Sequence, residues 1–137
     1  MNLRTKETKL KGPVMHFLRG LGCDQLKAEI TLVDRGIDVY GVRTGTQPLS
    51  YAVELKLRNW QKAIRQAAIY QLCADYCYVA MPDVKAGVLD LGFFEAAGVG
   101  LLAVDLGSKQ VKVLSAPRKS SVKCPIYSKI IRKAASC

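Results

Sequence analysis

Residues 36–60 read GIDVYGVRTGTQPLSYAVELKLRNW, and this stretch decides the fold. Thr44-Gly45-Thr46-Gln47-Pro48 is turn-rich and separates two apolar runs, residues 37–43 and 51–58, which read as the strands of a hairpin. In the second run Val53, Leu55 and Leu57 alternate with Glu54 and Lys56. Successive side chains on a strand point to opposite faces, so the apolar three face a core and Glu54 and Lys56 share the other face. Antiparallel pairing brings Asp38 beside Glu54 if the register is right; a slip of one residue would put it on the wrong face. Asn59 then reads as the N-cap of a helix over residues 60–75, with a stripe of Ala63, Ile64, Ala67, Ala68 and Leu72.

Outward from the hairpin, Leu10, Val14, Phe17, Leu18 and Leu21 recur near the helical period and predict a helix over 6–21. Pro13 should kink that helix or delay its start to about Gly12. Residues 25–33 read as a strand with Leu26, Ala28, Ile30 and Leu32 on one face, and Asp34-Arg35-Gly36 is a turn or bulge signal. A buried strand is expected over 77–81, ended by Pro82, and a helix over 88–97, stopped by Gly98. Two more strands, 101–106 and 110–114, flank Gly107-Ser108, and a short helix is expected over 126–135. This order predicts an α/β fold, one central mixed sheet flanked by helices.

The 137 residues suffice for one domain, and half of them are apolar. Twenty-one Lys and Arg against 11 Asp and Glu leave a net charge of +10, which favours a polyanionic partner, nucleic acid foremost. Residues 117–137 carry Arg118, Lys119, Lys123, Lys129, Arg132 and Lys133 and no acid, so they read as a basic tail. No apolar run approaches the roughly 20 residues that span a bilayer. The polar first 13 residues predict no export signal and a cytoplasmic protein. Five cysteines at irregular spacing predict reduced thiols, and the single histidine, His16, has no cysteine near it in sequence.

Two carboxylates with a lysine beside them suit magnesium-assisted phosphodiester hydrolysis. Mg²⁺ keeps several waters and takes one or two carboxylates plus phosphate oxygens, and the backbone carbonyl of Leu55 could add a ligand. Lys56 could orient the attacking water or stabilise developing negative charge. The plainer reading of Glu-x-Lys on a strand is a solvated cross-strand ion pair.

Asp38, then Glu54-Leu55-Lys56, then a helix with Gln66 and Tyr70, resembles the PD-(D/E)XK nuclease superfamily. Residues 74–82 and 98–105 are similar to small uncharacterised members described as phosphodiesterases, so the likeness covers about residues 5–115. The resemblance implies a restriction-endonuclease-like fold, an α-β-β-β-α-β core plus C-terminal strands, with residues 1–116 forming the nuclease-like domain. It implies that Asp38 and Glu54 hold Mg²⁺ or Mn²⁺ and that Lys56 assists hydrolysis. Gln66 and Tyr70 are spaced like the Gln-x-x-x-Tyr element of RecB-like nucleases, which implies a catalytic or supporting role for Gln66 and a nucleic-acid contact for Tyr70. An amphipathic helix that simply exposes both residues is the alternative.

Many members place a further metal-site glutamate on the first helix; Glu7 is preferred for it, with Glu29 left open. Arg58 and Lys62 after the strand, and Arg118 and Lys119 in the tail, are the expected nucleic-acid contacts. The expected substrate is DNA in preference to RNA, and cutting both strands would favour a homodimer. The competing reading is a non-catalytic nucleic-acid-binding module of the same fold. A weaker third is a basic scaffold that docks on an acidic partner or surface.

Overall fold

The central hairpin forms as its alternation demands. A computed structural model describes the backbone of residues 3–32 and 35–136, and the side chains of residues 7–31 and 36–136. Strand β2 (Arg35–Arg43) pairs antiparallel with β3 (Leu49–Leu55) in the register Val39↔Val53, Gly41↔Tyr51 and Arg43↔Leu49. Strand β1 (Gln25–Leu32) lies antiparallel on the other side of β2. The expected end of that strand at Val33, the turn signal at Asp34 and the side chain of Leu32 lie outside the described residues. β3 starts two residues before the expected 51 and stops at Leu55 rather than 58. The Lys56 N–H still donates to the Ala80 carbonyl at 3.0 Å, so one rung outlasts the strand.

Strands β4 (Tyr76–Pro82) and β5 (Gly100–Val104) extend the sheet parallel to β3, and β6 (Val111–Ser115) closes it antiparallel to β5. The result is an α/β protein with one six-stranded mixed sheet in the order β1-β2-β3-β4-β5-β6, flanked by helices. Helix α1 (Leu3–Gly20) covers one face and buries Leu10, Val14 and Leu18 against Val39, Val53, Leu55, Tyr78 and Leu102. Pro13 sits inside α1 and the helix runs past it. Proline removes the partner of the carbonyl four residues back, at Lys9, which costs about 3 kcal/mol. Full burial of three neighbouring apolar side chains at about 1.5–3 kcal/mol each outweighs that loss.

The opposite face holds α2 (Trp60–Ile69), α4 (Leu91–Ala97) and α5 (Pro125–Ser136), with Ala63, Ala67, Phe94 and Ile131 in its core. Asn59 caps α2 as expected, accepting from the Lys62 N–H at 3.4 Å. The helix does not continue to 75: a 3₁₀ turn over Tyr70–Leu72 follows it. Three residues per turn in place of 3.6 shift side chains off the helical stripe. Tyr70 continues the buried face of Ala63 and Ala67, while Leu72, expected in the stripe, is 38% exposed. α4 starts at Leu91 rather than 88 because Asp90 caps it, accepting from Gly92 N–H, and Gly98 ends it at φ 72°. A short helix, α3 (Asp83–Ala86), lies between β4 and α4.

The segment expected as a basic tail is part of this packing. Its helix α5 lies against β1 and β2, Ile131 is fully buried, and the Lys123 ammonium pairs with the buried Asp75 carboxylate at 2.6 Å. Cys23, Cys73 and Cys77 are buried free thiols and Cys124 is a half-buried one; Cys137 lies outside the described residues. Burial pushes the thiols of Cys23 and Cys73 up to about 11 and that of Cys77 higher still, which leaves all three unreactive. No helix among the described residues is long and apolar enough to cross a membrane.

Candidate functional site

β3 is buried along nearly its whole length, and Glu54 interrupts its apolar run. Val53 and Leu55 belong to the α1 face, so Glu54 projects toward the α2 face, where it is 3% exposed. The β2–β3 ladder ends at Val39↔Val53. One step further along β2, a side chain replaces the missing rung: Asp38 Oδ2 accepts the Leu55 N–H at 2.8 Å. Within a strand a residue's N–H and C=O leave on the same side, so the Leu55 carbonyl also points toward β2. Asp38 lies within hydrogen-bonding reach of Glu54.

Tyr70 completes the pair from the other side. Its hydroxyl lies 2.6 Å from the Gly36 carbonyl and 2.9 Å from Glu54 Oε1. One hydroxyl proton cannot serve two acceptors at once, and a carbonyl cannot donate. A proton on Glu54 resolves the count. Burial first, and then the neighbouring Asp38 carboxylate, push the Glu54 carboxyl up to about 8; Tyr70 and the Lys56 ammonium pull the other way without prevailing.

This raised value has a measurable consequence. A carboxyl that binds its proton more tightly in the folded state stabilises the fold at low pH, and the contribution is lost as pH rises through about 8. In EDTA the melting temperature is expected to fall between about pH 5 and 8, and Glu54→Gln to flatten that fall. Equal slopes in the two proteins would show an ordinary carboxyl.

Asp38 and Leu55 line an open cleft of about 360 Å³ together with Glu7, Lys11, Glu29 and Thr31. Glu7 is half-buried in its wall. Glu29 is exposed, pairs with Lys11 at 3.2 Å, and holds a left-handed φ of 58° that a non-glycine residue rarely adopts. Both glutamates considered in the sequence thus reach the cleft, yet among the described residues no three acidic, His or Cys side chains gather closely enough to hold a metal ion.

The remaining candidates divide. Lys56 is half-buried next to Glu54. Gln66 is half-buried on α2; its buried Oε1 accepts no hydrogen bond and the side chain bonds to none of Asp38, Glu54 and Lys56. Arg58 is exposed between β3 and α2, and Lys62 is exposed in the first turn of α2.

One expected nucleic-acid contact, Tyr70, is overturned. Tyr70 is 4% exposed and supports Glu54, so its ring is closed to an outside ligand. Arg118 is exposed and donates to the carbonyls of Glu95 and Ala96 at 2.5 and 3.4 Å, capping the end of α4. It sits by Gly98, ahead of β5, at the opposite end of the parallel strands from Lys56. Lys119 beside it is exposed. The sequence reading missed the Asp38 to Leu55 bond and the Gly36 carbonyl; the glycine in Gly36-Ile37-Asp38 was the nearest signal for either.

No family model matches the chain, and no curated protein matches it. Among solved structures the fold is similar to SPO1766, a protein of unknown function from Silicibacter pomeroyi. The TM-score is 0.61 at 18% identity over 87% of this chain and 75% of that one, a likeness that shows the fold alone.

Proposed function

We propose that this chain is a metal-dependent nuclease of the PD-(D/E)XK kind, on a restriction-endonuclease-like fold, hydrolysing phosphodiester bonds in nucleic acid, DNA foremost. The observation that carries the reading is the carboxyl pair Asp38 and Glu54, set at the end of the β2–β3 ladder beside an open cleft with Lys56 next to it. A carboxyl buried in a central strand and held largely protonated at neutral pH is a strongly perturbed group, and such groups gather at sites of chemistry.

The donors fit a hard cation. Asp38, Glu54 and the Leu55 carbonyl are all oxygen ligands, and Mg²⁺ or Mn²⁺ needs only one or two carboxylates when water and phosphate fill the rest. The proton that Glu54 retains next to Asp38 is the charge compensation that a cation would take over. Such an ion supplies Lewis-acid neutralisation of phosphate charge and a lowered pKa for water.

The protein's own part is positioning. The Leu55 N–H orients Asp38, and Tyr70 fixes Glu54. The Lys56 ammonium can stabilise charge that develops on the phosphate. Glu7 is placed to add an acidic group from across the cleft. Arg58, Lys62 and Lys119 remain available for phosphate contacts, and cutting both strands of a duplex would call for a homodimer.

The burial of Glu54 favours one alternative, a nucleic-acid-binding module of the same fold without turnover. Incubation with plasmid, linear, single-stranded and branched DNA, with Mg²⁺, Mn²⁺ or EDTA, separates the two. Cleavage that EDTA abolishes is the expected result. Salt-sensitive binding with no cleavage on any substrate would establish the module instead.

A further inference from the structure

A second cleft, larger than the acidic one, runs along the other flank of α1. It encloses about 1110 Å³ between that helix and the β5–β6 turn. Lys9, His16 and Lys109 line it, and no acid does. Asp105, next to Leu106, is occupied in its own turn, accepting from the N–H groups of Gly107 and Ser108 at 2.9 and 3.2 Å. The same turn presents Lys109 in a left-handed conformation, φ 65°, with its N–H on the Asp105 carbonyl. Pro13 and the 37%-exposed Leu106 add apolar wall.

The two clefts share one wall residue. Thr8 lines both, with Glu7 and Lys11 facing the acidic one and Lys9 and His16 the basic one. From Glu7 to His16 is nine residues of helix, about 14 Å. A single strand of a few nucleotides can span that distance.

We infer that the basic cleft binds the single-stranded nucleic acid flanking the phosphate held in the acidic cleft. Lys9, His16 and Lys109 contact phosphates, and Pro13 and Leu106 lie under unstacked bases. The assignment rests on the phosphodiesterase reading of the acidic cleft. Opposite charge in two adjoining clefts is what that reaction needs: acid where a cation must sit, base where the adjoining phosphates must be held. Pro13 and Leu106 give the cleft apolar wall on which the bases of a single strand can rest, whereas a duplex keeps its bases stacked inside.

The test is fluorescence anisotropy of a labelled single-stranded oligothymidylate of about ten nucleotides, in EDTA so that nothing is cut. The full chain is compared with Lys9→Glu/Lys109→Glu and with Lys85→Glu/Lys129→Glu, which makes the same charge change on exposed sites outside the cleft. Melting curves confirm that all three are folded. The cleft pair is expected to weaken binding at least about tenfold and to lower the slope of log K against log salt by about two. The control pair should change affinity less than about threefold. Equal losses in the two pairs, no binding by the wild type, or equal binding of a duplex would each overturn the assignment. Cleavage is scored separately. Selective loss in the cleft pair without any cleavage would leave this cleft a strand-binding site and refute the nuclease; cleavage with unchanged binding in the cleft pair would do the reverse.

Discussion

Asp38→Asn is expected to lower the rate of Mg²⁺-dependent DNA cleavage by on the order of a hundred- to a thousandfold, with little change in melting temperature. The two halves of that result follow from different atoms. Asp38 Oδ2 accepts the Leu55 N–H where the β2–β3 ladder stops, and an asparagine oxygen can accept the same bond. The strand end therefore stays closed. What is lost is the negative charge beside Glu54 and with it the affinity for a cation, a term worth several kcal/mol in the transition state. Glu54→Gln should cost as much.

Lys56→Ala should lose about a hundredfold, because it removes a charge-stabilising donor and leaves both carboxylates in place. Calorimetric titration with Mn²⁺ then sorts the variants. Binding should vanish in the two acid substitutions and persist in Lys56→Ala. In the wild type it should release about one proton per ion at pH values below about 8, because Glu54 must give up its proton first. Asp38→Asn activity within about tenfold of wild type would remove this centre from consideration.

Legibility in the sequence follows the range of the physics. Alternation over Val53–Leu57 and the Asn59 cap act across a few residues, and both were readable. So was the side of β3 on which Glu54 emerges, because period-two geometry leaves no choice. The contacts that tune the site are long-range. Tyr70 reaches Gly36 across 34 positions, from the point where a 3₁₀ turn takes over from α2. Nothing in the local pattern around residue 70 distinguishes that turn from another turn of α-helix.

The capping role of Arg118 was hidden for a related reason. A basic residue in a basic segment reads only as a phosphate contact, and the carbonyls at the end of α4 are brought beside it by the fold. The acidic cleft shows the same limit. Glu7, Glu29 and Asp38 come from three elements, and the sequence could name them only as alternatives.

Lys123→Met is expected to destabilise the protein by about 2–3 kcal/mol near pH 7, and to lower its melting temperature by about 7–10 °C. Asp75 is buried to 1% of its side chain at the end of the 3₁₀ turn, just ahead of β4. Oδ2 accepts from the Ser50 N–H and hydroxyl at 2.8 and 3.0 Å, and Oδ1 faces Lys123 at 2.6 Å. Burial alone would raise this carboxyl; Lys123 and the Ser50 donors outweigh it and hold it below the usual range.

Methionine keeps the aliphatic stem and strands the charge. Breaking a fully buried pair costs about 3–5 kcal/mol, and the lower figure applies here because Lys123 is one-third exposed and partly screened. A depressed carboxyl contributes stability above its unfolded value and loses it as pH falls through the folded one. The gap between wild type and variant should therefore be full at neutral pH and close in acid, below the ordinary value of 3.8. The pair also has a distant reader. Ser120 N–H bonds the Asp75 carbonyl and Cys124 N–H the Leu72 carbonyl, so residues 120–124 are stitched to the turn that carries Tyr70, and α5 follows them onto β1 and β2. Because β2 carries Asp38 and the 3₁₀ turn carries Tyr70, heat should cost Lys123→Met its activity at or below the temperature at which its helical signal is lost. A melting temperature within about 2 °C of wild type at neutral pH would show the ion pair to be an onlooker.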